Sequence, residues 1–133
     1  MELDTSRRVI TKHLCKELAP GAPYFQVTYQ HQGVNLPEVE TLVYLGAIQV
    51  KEEGQLQTRF VFQLAWSYQQ DGNWTELPQE RRKELTADAA VFFYAEDSLR
   101  LIEDIDGLLV LLNNLREKMR RGLGWERVLP QER

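Results

Sequence analysis

The chain has 133 residues and a net charge of −4, with 43% hydrophobic and 27% charged residues. That is the size and balance of one globular domain; it excludes wholesale disorder, and no apolar run approaches the ~20 residues a membrane-spanning helix needs. The opening segment MELDTSRRVITKHL lacks the apolar core of a secretory signal, and a lone Cys15 allows no internal disulfide, so a cytoplasmic, reducing setting is expected.

In chain order, residues 5–19 read as a first helix. Asp4, Thr5 and Ser6 are candidate caps, Ile10, Leu14 and Leu18 fall on one face, and Pro20-Gly21 ends it. From 22 to 31 Phe25, Val27 and Tyr29 alternate with Gln26, Thr28 and Gln30, the period of a half-buried strand. Two longer runs follow, 39–51 and 56–69. The second alternates most clearly, with Phe60, Phe62, Leu64, Trp66 and Tyr68 pointing one way, while Leu42, Tyr44, Ile48 and Val50 occupy even positions of the first. Glu52-Glu53-Gly54 suits a three-residue hairpin loop. Pairing Lys51 with Gln55 then sets Gly46 against Phe60, Tyr44 against Phe62 and Leu42 against Leu64. Strands this long imply a strongly twisted, bent hairpin.

Asp71-Gly72 signals a tight turn into a short strand over 73–77, and Pro78 precedes a brief polar helix over 79–85. Residues 89–94, AAVFFY, suit either a buried strand or the opening turns of the last helix; β-propensity favours the strand. The final helix is expected from Asp97 or Ser98 to Arg121, with Leu101, Ile105, Leu108, Leu112, Leu115 and Met119 at alternating spacings of four and three. Residues 123–133 read as an irregular tail. The expected fold is a single α+β domain over 1–133. It comprises an N-terminal helix, a strongly bent, mainly antiparallel sheet of three to five strands, and a long C-terminal helix packed on the concave face. Phe60, Phe62, Leu64, Trp66, Leu42, Tyr44, Ile105, Leu108, Leu112 and Leu115 form the expected core.

Charge is distributed unevenly. Between 84 and 106 Glu84, Asp88, Glu96, Asp97, Glu103, Asp104 and Asp106 face Arg100 alone. From 116 to 133 Arg116, Lys118, Arg120, Arg121, Arg127 and Arg133 outnumber Glu117, Glu126 and Glu132. The acid-first, base-last order complements the dipole of the final helix. An acidic whole disfavours nucleic-acid binding, and only the basic patch Arg116, Lys118, Arg120, Arg121 and Arg127 points toward it.

Chemistry-bearing motifs are scarce. Asp104-Ile105-Asp106-Gly107-Leu108, after Leu101-Ile102, superficially resembles the first motif of haloacid-dehalogenase-type phosphatases, in which both aspartates end a buried parallel strand. In a helical period they lie about 200° apart instead, and only 27 residues follow Asp106, so no catalytic role is expected. Aligned as a calcium loop, the segment places Ile102 and Asn113 where carboxylates are needed. His13, His31 and Cys15 make a thin ligand set, so no metal or cofactor is expected.

Two features point to interaction. Val43, Leu45 and Val61 make the second sheet face apolar, with Trp74 on the same side; either the first helix covers it or a partner does. The unbroken run Leu108, Leu109, Val110, Leu111, Leu112 needs more cover than one sheet supplies. The favoured reading is a non-catalytic protein–protein interaction module (an adaptor, chaperone-like factor or regulatory subunit), homodimeric through the long helix, the outer sheet face or both. The alternatives are a small-ligand pocket walled by Tyr24, Tyr44, Trp66 and Tyr68, and nucleic-acid contact through the basic patch.

Overall fold

The centre of the fold is the long hairpin that the alternating residues predict. In a computed structural model, which describes residues 3–4, 9–11, 16–29 and 37–121, β5 (Pro37–Glu52) and β6 (Gln55–Leu64) run antiparallel. Glu52 pairs with Gln55, so the connection is the two residues Glu53 and Gly54, both at positive φ (51° and 79°), and not the expected three. Such a turn carries the twist of the flanking strands, which a looser loop does not impose.

That one-residue difference is absorbed within β5. From Glu52 to Gly46 the pairs run one residue off the expected register, and Gly46 faces Val61 rather than Phe60. A bulge between Tyr44 and Gly46 then restores the expected pairs Tyr44–Phe62 and Leu42–Leu64. Because the side-chain period is two, the bulge also exchanges faces: Ile48 and Val50 lie on the side opposite Tyr44 and Leu42.

Around the hairpin the strand order is β7–β6–β5–β4–β8, with β4 at Pro23–Tyr29, β7 at Val91–Tyr94 and β8 at Ile102–Glu103, every ladder antiparallel among the described residues. A two-residue β1 (Leu3–Asp4) joins β5. Residues 91–94 are thus strand. The expected N-terminal helix is corrected where the chain is described: β2 (Val9–Thr11) pairs with β3 (Lys16–Leu18). Three successive β-branched residues, Val9, Ile10 and Thr11, favour that extended form. The remainder of that expected helix lies outside the described residues.

Strand β6 stops at Leu64, and α1 (Ala65–Asp71) replaces the expected continuation. The overlooked signal is polar: Gln63, Ser67 and Asp71 recur every four residues, and the helix joins them by hydrogen bonds. A 3₁₀ turn at Trp74–Glu76 stands where a strand was expected, because the Asn73 carboxamide accepts from the Thr75 amide (3.0 Å) and hydroxyl (2.8 Å). Helix α2 (Gln79–Ala87) forms as expected and runs two residues further. It ends with the Ala89 amide donating to the Thr86 carbonyl and the Ala90 amide to that of Leu85, which requires Ala89 at φ 57°. Ala89→Gly should therefore raise stability by about 0.5–1 kcal/mol; an unchanged or lower urea midpoint would contradict this account of the helix end.

The last helix, α3 (Ile105–Arg120), starts later than expected. Residues 96–101 form a 3₁₀ helix and β8 follows, and Asp104 caps α3 by accepting from the Gly107 amide (2.8 Å). No helix among the described residues is long and apolar enough to cross a membrane.

Both sheet faces are covered. One buries Leu18, Tyr24, Leu42, Tyr44, Phe60, Phe62, Leu64, Leu99 and Ile102. The other buries Val43, Leu45, Ile48, Val61, Trp74, Leu85, Ala90 and Val91 under α1, α2 and the turn between them. The expected packing of α3 on the concave face is corrected: of its expected core residues Leu108 alone is buried, and Leu115 is half-buried. Ile105 and Leu112, like Trp66 on α1, are exposed. The helix lies along the β4–β8 edge.

Candidate functional site

Helix α3 carries two apolar stripes. Leu108, Leu111 and Leu115 lean toward the β4–β8 edge, with Leu111 beside Val27, Leu101 and Glu103 in a small notch. Turned roughly 90° from that side is an outward row at spacings of four, three, four and three: Ile105, Leu109, Leu112, Arg116 and Met119. Its apolar members are 53%, 50%, 39% and 43% exposed, respectively. Asp106, Asn113 and Arg120 stand exposed along one flank of the row, seven residues apart. The opposite flank is the side that faces the body. Val110 points away from both stripes and is exposed as well.

The other expected surface residues lie inside the molecule. Val43, Leu45, Val61 and Trp74 are buried beneath α1 and α2, so that sheet face is covered by the chain's own central segment. The Arg82 guanidinium sits 5.5 Å over the Trp74 ring and donates to the Thr75 carbonyl, fastening the 3₁₀ turn to α2.

The four expected pocket residues do not line one pocket. Tyr24 and Tyr44 pack edge-on (6.4 Å between centroids) in the first cluster, where the Tyr24 hydroxyl donates to the Glu17 carbonyl and accepts from the Ala19 amide. Tyr68 packs against the second cluster, and Trp66 is exposed. Arg116 and Arg120 share one side of α3, while Lys118 and Arg121 occupy the other, so these four form no single basic face; Arg127 lies outside the described residues.

The Asp104–Asp106 pair does helix-start work: Asp104 is the cap and Asp106 an exposed first-turn acid beside the positive end of the dipole. Among the described residues no three His, Cys, Asp or Glu side chains are grouped to hold a metal ion. His13, Cys15 and His31 lie outside the described residues.

A long-range contact that sequence alone did not indicate links Tyr94 to Gln26. The phenol donates to Oε1 at 2.8 Å, and burial, with Glu40 adding to it, raises the phenol above its ordinary 10.0. A raised folded value stabilises below pH 10.0, and that contribution is lost as pH climbs through the folded value. The wild type should exceed Tyr94→Phe by about 1 kcal/mol at neutral pH, and the gap should close above pH 10.0. A gap that stays constant across that range in urea titrations would refute this assignment.

No family model, curated protein or solved structure matches the chain.

Proposed function

We propose that the protein is a non-catalytic protein–protein interaction module, an adaptor, chaperone-like factor or regulatory subunit, whose contact element is α3. The outward row on that helix carries the proposal. Four large apolar side chains, between 39% and 53% exposed, stand in line on a rigid, capped helix, and their burial would supply roughly 1 kcal/mol each.

In this reading the strongly bent sheet is the platform that presents α3. The Tyr94–Gln26 hydrogen bond supports the bend, since it joins β7 to β4 across two intervening strands. In a flat sheet those strands stand about 14 Å apart, and side chains rising perpendicular to the sheet fall short of each other. A single cysteine, Cys15, suits a reducing, cytoplasmic setting.

Labelling in intact cells tests the contact element. In a Cys15→Ser background, Leu109→Cys should react with a maleimide about tenfold more slowly than Leu56→Cys on the exposed hairpin, as expected when about nine-tenths of the helices are engaged. Equal rates would overturn the reading.

A further inference from the structure

We propose that the occupant of the outward face of α3 is a second copy of this chain, its helix antiparallel to the first about a two-fold axis near Leu112 and Asn113. This rests on the reading of α3 as the contact element and names its partner.

The row Ile105, Leu109, Leu112, Arg116, Met119 repeats every three and four residues, the spacing by which two helices interlock along a shallow crossing. The two-fold axis sets Ile105 beside a second copy's Met119 and Leu112 beside its own equivalent. Arg116, the one polar member, then lies over the facing Leu109, its aliphatic stem on apolar surface and its charge in water.

Charge selects both the partner and the direction. With the other flank turned to the body, the described residues of α3 that border the seam are Asp106, Asn113 and Arg120. Antiparallel pairing places Asp106 against Arg120 twice and Asn113 against Asn113 once. Parallel pairing, whose two-fold axis runs along the helices, puts the two copies of this flank on opposite sides of the seam, so Asp106 and Arg120 do not meet and both ion pairs are lost. The Arg120 contact to Glu117 within its own helix is exposed and 3.5 Å long, so it leaves the guanidinium available. The same patch meets itself with complementary charge, as a closed isologous dimer demands. The segment 122–133, which follows α3 directly, carries Glu126 and Glu132 against Arg127 and Arg133 and has no such polarity to match the helix.

Sedimentation and light scattering of the full chain from about 1 to 100 μM test this directly. The expected result is a monomer–dimer equilibrium. Leu112→Glu, which faces its own copy on the axis, should abolish it. Asp106→Arg should weaken it by about tenfold or more, and the swap Asp106→Arg with Arg120→Asp should recover most of the loss. In a Cys15→Ser background, Asn113→Cys should form a disulfide-linked dimer and Ile105→Cys alone should not. Preferential self-crosslinking of Ile105→Cys would mean parallel helices and overturn the proposal. So would a dimer indifferent to Leu112→Glu, or a monomer that dimerises only after residues 122–133 are removed, which would make that segment the occupant. A chain monomeric throughout, yet protected at Leu109→Cys in cells, would refute the second copy and leave the interaction reading standing.

Discussion

Replacing Gln63 by leucine should lower stability by about 3–5 kcal/mol although the two side chains are similar in size. Gln63 has no exposed surface and is the penultimate residue of strand β6, where its carboxamide closes a network. Its Nε2 donates to Ser67 Oγ and to the Gly72 carbonyl, each at 3.0 Å, and its Oε1 accepts from the Trp74 amide at 3.0 Å. Ser67 passes the chain on to Asp71, which pairs with Arg81 on α2 at 2.6 Å. Leucine would leave the buried Trp74 amide and the half-buried Gly72 carbonyl without these partners, each costing about 1–3 kcal/mol. Ser67→Ala removes only a hydroxyl link and should cost about 1 kcal/mol. Urea denaturation of the two variants checks the ranking. Equal, small losses would mean that the network does not hold β6, α1 and α2 together.

Gly46→Ala is the second large effect, a loss of about 2–3 kcal/mol. Gly46 is buried and sits at φ 140°, a backbone conformation that side chains rarely adopt. The alternative to strain is to lose the bulge, and that route is also costly. Without the bulge every residue of β5 beyond Leu45 changes face, which would take Ile48 out of the second cluster and put Gln49 where Thr58 does not meet it. A chevron or equilibrium titration showing a loss under about 0.5 kcal/mol would mean that another residue sets the register.

These two sites show where the sequence was readable and where it was not. The alternation in 39–64 specified the hairpin, and the pairs Tyr44–Phe62 and Leu42–Leu64 form as expected because the bulge before Gly46 offsets the turn that is one residue shorter than expected. It did not specify the turn length, since Glu53 adopts positive φ without being glycine or asparagine. The missed end of β6 has a similar cause. Trp66 and Tyr68 continue the apolar alternation, but the buried Gln63–Ser67–Asp71 stripe outweighs it, and that stripe becomes visible only when polar residues are read at a helical period.

The candidate surface was half legible. The spacing from Leu101 to Met119 announced an amphipathic helix with apolar surface to spare, and Leu109 and Val110 are indeed exposed. Placing that surplus required the tertiary structure. Val43, Leu45, Val61 and Trp74 looked equally available in the sequence and are buried, because α1 and α2, neither read as their cover, pack over them.

Composition and periodicity by themselves determined an α+β chain with a long antiparallel hairpin and a final helix, since these follow from contacts between near neighbours in sequence, and they left 91–94 open between strand and helix. Tertiary structure alone decided which side each apolar residue serves and that α3 lies at the sheet edge rather than across its centre. Those outcomes depend on a bulge, a buried carboxamide and contacts across many residues. Local pattern states how much apolar surface an element carries, and only packing determines which of it meets the rest of the chain.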